Sequence, residues 1–213
     1  MKIVFYDTET SGLPIRKYEF GRLYITQPYI VQLAWLIYDT EKETIEKYIR
    51  YVKVNKSIHI SEKSTEIHGI TREILEEKGQ HLIDVLNDFR KSTQHSELFV
   101  AHNVAFDKPL IEKECERNDL ECVFNKQVEH YCTMKSNIER CAIEKMYKGK
   151  MSFKYPTLLE LHNHLFPNNT NLKEEELHNA YNDVLLTFRC YFETTHSIDM
   201  KEKHPNLFLS LYH

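Results

Sequence analysis

The stretch KIVFYDTETSGLP, from Lys2 to Pro14, decides how the rest of the chain is read. Ile3, Val4, Phe5 and Tyr6 have the length and the β-branched or aromatic content of a buried strand. That run leads into Asp7-Thr8-Glu9, and Gly12 and Pro14 then turn the chain into a loop. Alternate side chains of a strand share a face, so Asp7 and Glu9 point the same way. Two carboxylates held side by side repel unless a cation or a shared proton lies between them. The spacing therefore raises a divalent-metal site with hard oxygen ligands suited to magnesium or manganese. A strand followed by an acidic turn has the same local pattern, so other parts of the chain must decide.

With 213 residues, the chain has the size of one domain with a proper core. Its 41% hydrophobic and 28% charged residues are ordinary for a soluble fold, and no apolar run approaches the roughly 18 residues of a membrane span. No membrane role is expected. A strand at the very start leaves no room for a signal peptide, so export is not expected either. The five cysteines (Cys115, Cys122, Cys132, Cys141 and Cys190) are odd in number and lack CxxC spacing. This argues against a disulfide scaffold or zinc site and for the cytoplasm or another reducing compartment. A net charge of −4 does not advertise a polyanion binder, but cations bound to an acidic site would offset that charge where it matters.

Ile30–Tyr38 and Thr44–Val54 read as the second and third strands of an antiparallel meander, joined to the first by a long irregular connection over 13–29. Short helical pieces are expected over 57–78, and a helix over Leu82–Lys91 from its apolar spacing. Glu97–Ala101 reads as a fourth strand. The helix after it has Pro109 in its first turn. Helices are further expected over about Thr133–Met146, over Thr157–Leu165 and over Asn179–Glu193. The apolar residues of 197–213 should pack back on the body. These elements give a mixed α/β sheet.

Three further residues carry chemistry. Asp107 stands before a helix in VAHNVAFD, where a helix cap is the competing reading. Asp183 lies in the first turns of the last helix, where an acid also suits the helix dipole. His178 would sit roughly 140° from Asp183 on a continuous helix, so the two share a site only if His178 belongs to the loop entering it. Taken in order, FYDTETSGLP, FVAHNVAFDKPLI and HNAYNDVLLT resemble the motifs of the DEDDh (DnaQ-like) 3′–5′ exonucleases, the family of the DNA polymerase III proofreading subunit and ribonuclease T. HGIT (68–71) and YPTLLEL (155–161) add to the resemblance, which spans about residues 2–192.

The resemblance implies a ribonuclease-H-like fold, a five-stranded mixed β-sheet flanked by helices on both faces, in a domain of residues 1–195 followed by a tail of 196–213. It implies two Mg2+ ions, replaceable by Mn2+, on Asp7, Glu9, Asp107 and Asp183, with His178 as general base. Thr10, Leu13, His68, Gly69, Ile70, His102, Asn103 and Phe106 would contact the nucleotide end. The partners implied are single-stranded DNA or RNA 3′ ends and, for a proofreading member, a polymerase. The activity expected is release of nucleoside 5′-monophosphates, with DNA slightly favoured over RNA. A non-catalytic nucleic-acid-binding or polymerase-docking module is the contrasting class, and it would have no need to keep all five catalytic positions filled. The stretches 15–29 and 145–155 depart from a minimal member. Both interleave basic and aromatic residues, a composition suited either to a single strand or to a solvated loop.

Overall fold

The computed structural model describes every residue except 126, 170, 171, 173–176, 178, 210 and 213. Strand β1 (Lys2–Thr10) pairs antiparallel with β4 (Ile30–Asp39) and parallel with β6 (Leu98–Ala101). With β5 (Thr44–Tyr51) and β7 (Glu129–Cys132) these form one mixed sheet in the order β5-β4-β1-β6-β7. This is the five-stranded ribonuclease-H-like arrangement that the motifs imply.

The period-two alternation of β1 divides the core. Ile3 and Phe5 face helix α8 (Ala180–His196), where the Phe5 ring meets Phe188 and Tyr191 edge-on at 4.9 and 5.4 Å. Val4 and Tyr6 face the other way, onto α3 (Leu82–Thr93) and α4 (Val104–Arg117), with Tyr6 against Phe89 and Phe99. Helices thus cover both faces, α7 (Leu158–Leu165) lying beside α8. Thr157 caps α7 through a reciprocal capping box with Glu160.

The fold departs from the sequence-based expectations in several places. Strand β1 continues through Thr10, because β4 supplies partners as far as Glu9↔Gln32 and Thr10↔Ile30. Strand β5 ends at Tyr51, beyond which Val52 donates its N–H to Val31 O and makes an isolated bridge to Gln80. The connection over 13–29 is not irregular. It holds a hairpin of β2 (Ile15–Glu19) and β3 (Arg22–Thr26), closed by Phe20 and Gly21 at φ 50° and 73°. The helix expected over 133–146 is replaced by two single turns, Thr133–Ser136 and Ile138–Cys141, and a second hairpin. Asn137 turns its amide back to the Thr133 carbonyl, and Ala142 adopts φ 46°, which ends the second turn. Strands β8 (Glu144–Tyr147) and β9 (Lys150–Phe153) follow, closed by Lys148 and Gly149 at φ 48° and 78°. Paired positive φ values are what a two-residue type I′ hairpin turn needs. Helix α4 begins at Val104, so Pro109 lies in its second turn. The proline cannot donate to the Ala105 carbonyl, and Ala105 is exposed, so water can take that bond.

Phe208 and Leu211 are buried in the core cluster with the residues of α8. The anchor of the tail is Arg189, fully buried on α8, whose Nε and Nη2 donate to both carboxylate oxygens of Asp199 at 2.7 and 2.5 Å. The guanidinium also stacks on Phe166 and donates to the Tyr212 hydroxyl. A buried cation stripped of its anion is costly. Asp199→Ala should therefore destabilise the fold by about 3–5 kcal/mol in urea unfolding, whereas a loss below about 1 kcal/mol would show that the pair contributes little.

Candidate active site

Strand β6 pairs with β1 only from Ile3↔Leu98 to Phe5↔Val100, so the last residues of β1 project beyond their parallel neighbour. Ligands of open α/β sheets gather in such crevices at the carboxyl ends of strands. Asp7 and Glu9 share the β1 face of Ile3 and Phe5, the face that α8 covers. The start of α8 is pinned to the sheet. Gln32 Oε1 accepts the Ala180 N–H at 3.1 Å, and Asn179 caps the helix by accepting from Tyr181 N–H at 3.1 Å. Asp183 follows one turn in. Oxygens of Asp7, Glu9 and Asp183 consequently lie within 4.8 Å of one another.

Asp107 arrives from the opposite side, in the first turn of α4. It does not cap that helix, because the N-cap is Asn103 in the left-handed conformation at φ 75°. Its Oδ1 accepts both the backbone N–H of Thr8 at 3.0 Å and the Thr8 hydroxyl at 2.7 Å. Thr8 sits between the two acids of DTE, so one residue of β1 orients Asp107 while its neighbours form the cluster. Among the described residues no lysine or arginine pairs with Asp7, Glu9 or Asp107.

The electrostatic consequence is large. Burial, reinforced by Asp107, Asp183 and Glu9, raises the Asp7 carboxyl well above its usual range. Burial and the charges of Asp183 and Asp107 push Glu9 up to about 9. Burial lifts Asp107 to about 7 against the opposing pull of the Thr8 hydrogen bonds. Hard carboxylate oxygens crowded together in this way fit a divalent metal ion. The 4.8 Å span is close to twice the roughly 2.0–2.6 Å reach of a magnesium or calcium bond to oxygen.

The remaining residues singled out in the sequence take varied places. Thr10 donates its hydroxyl to Gly12 O at 2.7 Å, and its carbonyl meets His68 Nε2 at 3.2 Å. Ile70 N–H donates to His68 Nδ1, which assigns the proton of this buried ring to Nε2. Gly69 holds φ 68° as the C-cap of the helix Glu62–His68. Ile70 packs with Val31 and Leu75 in the core, while Leu13 is 72% exposed beside a cavity of about 670 Å³ lined in part by Ile15, Pro28, Ile58 and Ile67. His102 is committed on both sides, to the Thr133 hydroxyl at 3.0 Å and to Pro156 O at 3.1 Å, and burial lowers its pKa to about 4. Phe106 is half-buried against the α3–α4 side of the core. His178 lies outside the described residues, one position before the cap of α8.

Sequence reasoning missed Gln32. Its signal was one polar residue inside the apolar run IVQLAWLI, and that glutamine is fully buried as the register partner of Glu9.

A carboxyl whose folded-state pKa is raised stabilises the fold fully below its unfolded value, and that contribution is lost as pH rises through the folded one. For Asp107 and Glu9 the window runs from ordinary values of 3.8 and 4.5 to about 7 and about 9. The metal-free protein should therefore lose stability across this window. Added Mg2+ or Mn2+ should raise the melting temperature markedly near pH 8 and little near pH 5. A hundredfold excess over Kd corresponds to about 2.7 kcal/mol. Calorimetric scans showing no metal effect at either pH would contradict a cation site here.

Comparison with known proteins gives the family and the fold. A protein-family model described as an exonuclease, RNase_T, matches residues 4–191. No curated protein matches the chain. Among solved structures, E. coli Exonuclease I in complex with a dA16 oligonucleotide is similar at a TM-score of 0.62 and 18% identity, over 97% of this chain and 42% of that one. Another structure of exonuclease I gives 0.65 and 19% over the same shares. An Exonuclease I from Methylocaldum szegediense gives 0.63 and 17%, over 96% and 43%. The chain thus spans less than half the length of these neighbours, and at such identities they speak for the fold. With the family model matching residues 4–191, most of its length, the chain belongs to the DEDDh exonuclease family.

Proposed function

We propose that the chain hydrolyses single-stranded DNA from the 3′ end, releasing nucleoside 5′-monophosphates in a reaction that requires divalent metal ions. The observation that carries this reading is the convergence of Asp7, Glu9 and Asp183 within 4.8 Å at the end of β1, in a chain of the exonuclease family. Asp7, Glu9 and Asp183 would hold one ion, and Asp7 with Asp107 a second. When bound, such a pair neutralises the charge that builds on the phosphoryl oxygens and makes water a stronger nucleophile near neutral pH.

The chain's own groups do the rest. The Thr8 hydrogen bonds fix which oxygen of Asp107 is left for a ligand. Gln32 and Asn179 fix the start of α8, and so the direction from which Asp183 approaches. His178, next to that cap in sequence, would take the proton of the attacking water on a ring nitrogen, a task suited to an unperturbed pKa of about 6.5. His102, with both ring nitrogens engaged and a pKa of about 4, is a poor candidate for that task. Leu13, exposed beside an apolar cavity, would meet an unpaired terminal base.

DNA is favoured because the neighbours of similar fold include Exonuclease I in complex with dA16 and with dT13 oligonucleotides, which is a statement about those proteins. An RNA-end processor is the competing reading, and matched 5′-labelled DNA and RNA oligonucleotides decide by relative rate. Asp7→Asn and Asp183→Asn should fall below about 1% of wild-type hydrolysis, a loss of about 2.7 kcal/mol or more in transition-state stabilisation. His178→Ala should lose about 10²–10⁴-fold in rate while still binding the strand. Full activity in Asp7→Asn, or in wild type with EDTA present, would contradict the mechanism.

A further inference from the structure

Resting on that reading, we propose that the β8–β9 hairpin is a strand-binding arm, which grips single-stranded DNA on the 5′ side of the end being cut. All ten residues from Glu144 to Phe153 are exposed, so the hairpin adds nothing to the core. Yet it is rich in groups that ordinarily seek burial, with Met146, Tyr147, Met151 and Phe153 each 48–62% exposed. An isolated two-stranded hairpin is marginal in water. A surface that keeps such residues out of the core is fitted to a partner.

The register sorts these side chains. Lys145↔Ser152 and Tyr147↔Lys150 share one face, while Glu144↔Phe153 and Met146↔Met151 share the other. The first face joins cations to an aromatic ring, and Lys148 at the turn sets its Nζ 5.4 Å from the centre of the Tyr147 ring. From Glu144 to Tyr155 the chain has four lysines against one glutamate, in a protein whose net charge is −4. Lysines for phosphates and an exposed ring for stacking are the two elements of single-strand binding. An acidic peptide would satisfy the lysines but give the ring no base to stack on.

The foot of the arm fixes its place relative to the acids. Lys154 N–H donates to Ile143 O at 2.9 Å and closes the base of the hairpin. Two residues on, Pro156 O is held by His102 at 3.1 Å. His102 follows the last residue of β6, the strand paired in parallel with β1. The arm is therefore rooted at the end of the sheet where Asp7 and Glu9 lie. Its root also explains why His102 has both nitrogens committed: it clamps the hairpin to the sheet.

The test measures binding and chemistry separately. Anisotropy of 5′-labelled dT16 in EDTA would compare wild type with Tyr147→Ala, with Lys148→Glu/Lys150→Glu, and with Lys42→Glu/Lys91→Glu as a charge control elsewhere on the surface. Hydrolysis of the p-nitrophenyl ester of thymidine 5′-monophosphate, too small to reach the arm, reports the catalytic centre. The arm variants should bind dT16 at least about fivefold more weakly, by loss of stacking or of phosphate contacts. The charge reversal should also lower the slope of log K against log salt by about 1.4, at about 0.7 per phosphate contact. The control should bind like wild type, and ester hydrolysis should be unchanged in all variants. Affinities within twofold of wild type for both arm variants, or an equal loss in the control, would overturn the arm. A wild type that cleaves neither ester nor dT16 would instead sink the nuclease reading, and the anisotropy comparison would still decide the arm.

Discussion

The docking of α8 on β1 is the constraint on which the site depends. Phe5 meets Phe188 and Tyr191 edge-on, and Tyr38 packs on Phe188 and Phe192 from the neighbouring strand. Each aromatic pair contributes about 0.5–1.5 kcal/mol beyond its buried area. That apolar contact forces together what electrostatics would separate. Asp7 and Glu9 ride two and four residues beyond Phe5 on the same strand face, and Asp183 lies one turn before Phe188 on the helix. Burial, with the like charges of the cluster added to it, raises the carboxyls' proton affinity, so Glu9 is pushed up to about 9 and Asp107 to about 7. The mutual repulsion of these carboxylates is also what would favour a small, highly charged cation.

A second layer of contacts fixes angles rather than distances. Gln32, opposite Glu9, accepts from the first helical N–H of α8, so the strand that carries the acids also sets the helix that brings the third one. Thr8 plays the matching part on the other face by holding Asp107 with two hydrogen bonds. Such supports hold a catalytic group within a fraction of an ångström of its working position.

Much of this was legible in the sequence, for identifiable reasons. Buried strands announce themselves through β-branched and aromatic runs, so KIVFY and IVQLAWLIY were read with nearly their observed bounds. The pleat placed Asp7 and Glu9 on one face, as observed. The two hairpins escaped because Phe20-Gly21 and Lys148-Gly149 are not the Asn-Gly or Asp-Gly pairs that signal a type I′ turn, and because their strands bury no face to show alternation. The short strand Glu129–Cys132 was missed because it is an edge strand of four residues containing no β-branched residue. The helix expected over 133–146 ends at Asn137, whose side-chain amide takes the Thr133 carbonyl, the acceptor that a continuing helix would give to the Asn137 backbone N–H. Gln32 could have been found as a polar interruption of an apolar strand. His178 was read from motif spacing and lies outside the described residues.

One exposed hairpin lies in the connection leaving β1 and the other in the connection preceding α7, while the core holds the acids. The most direct measurement of the central claim is anomalous diffraction from crystals soaked in Mn2+. The account predicts manganese peaks coordinated by oxygens of Asp7, Glu9 and Asp183, with Asp107 beside them. Manganese bound elsewhere, with these carboxylates still protonated or turned away from one another, would contradict it.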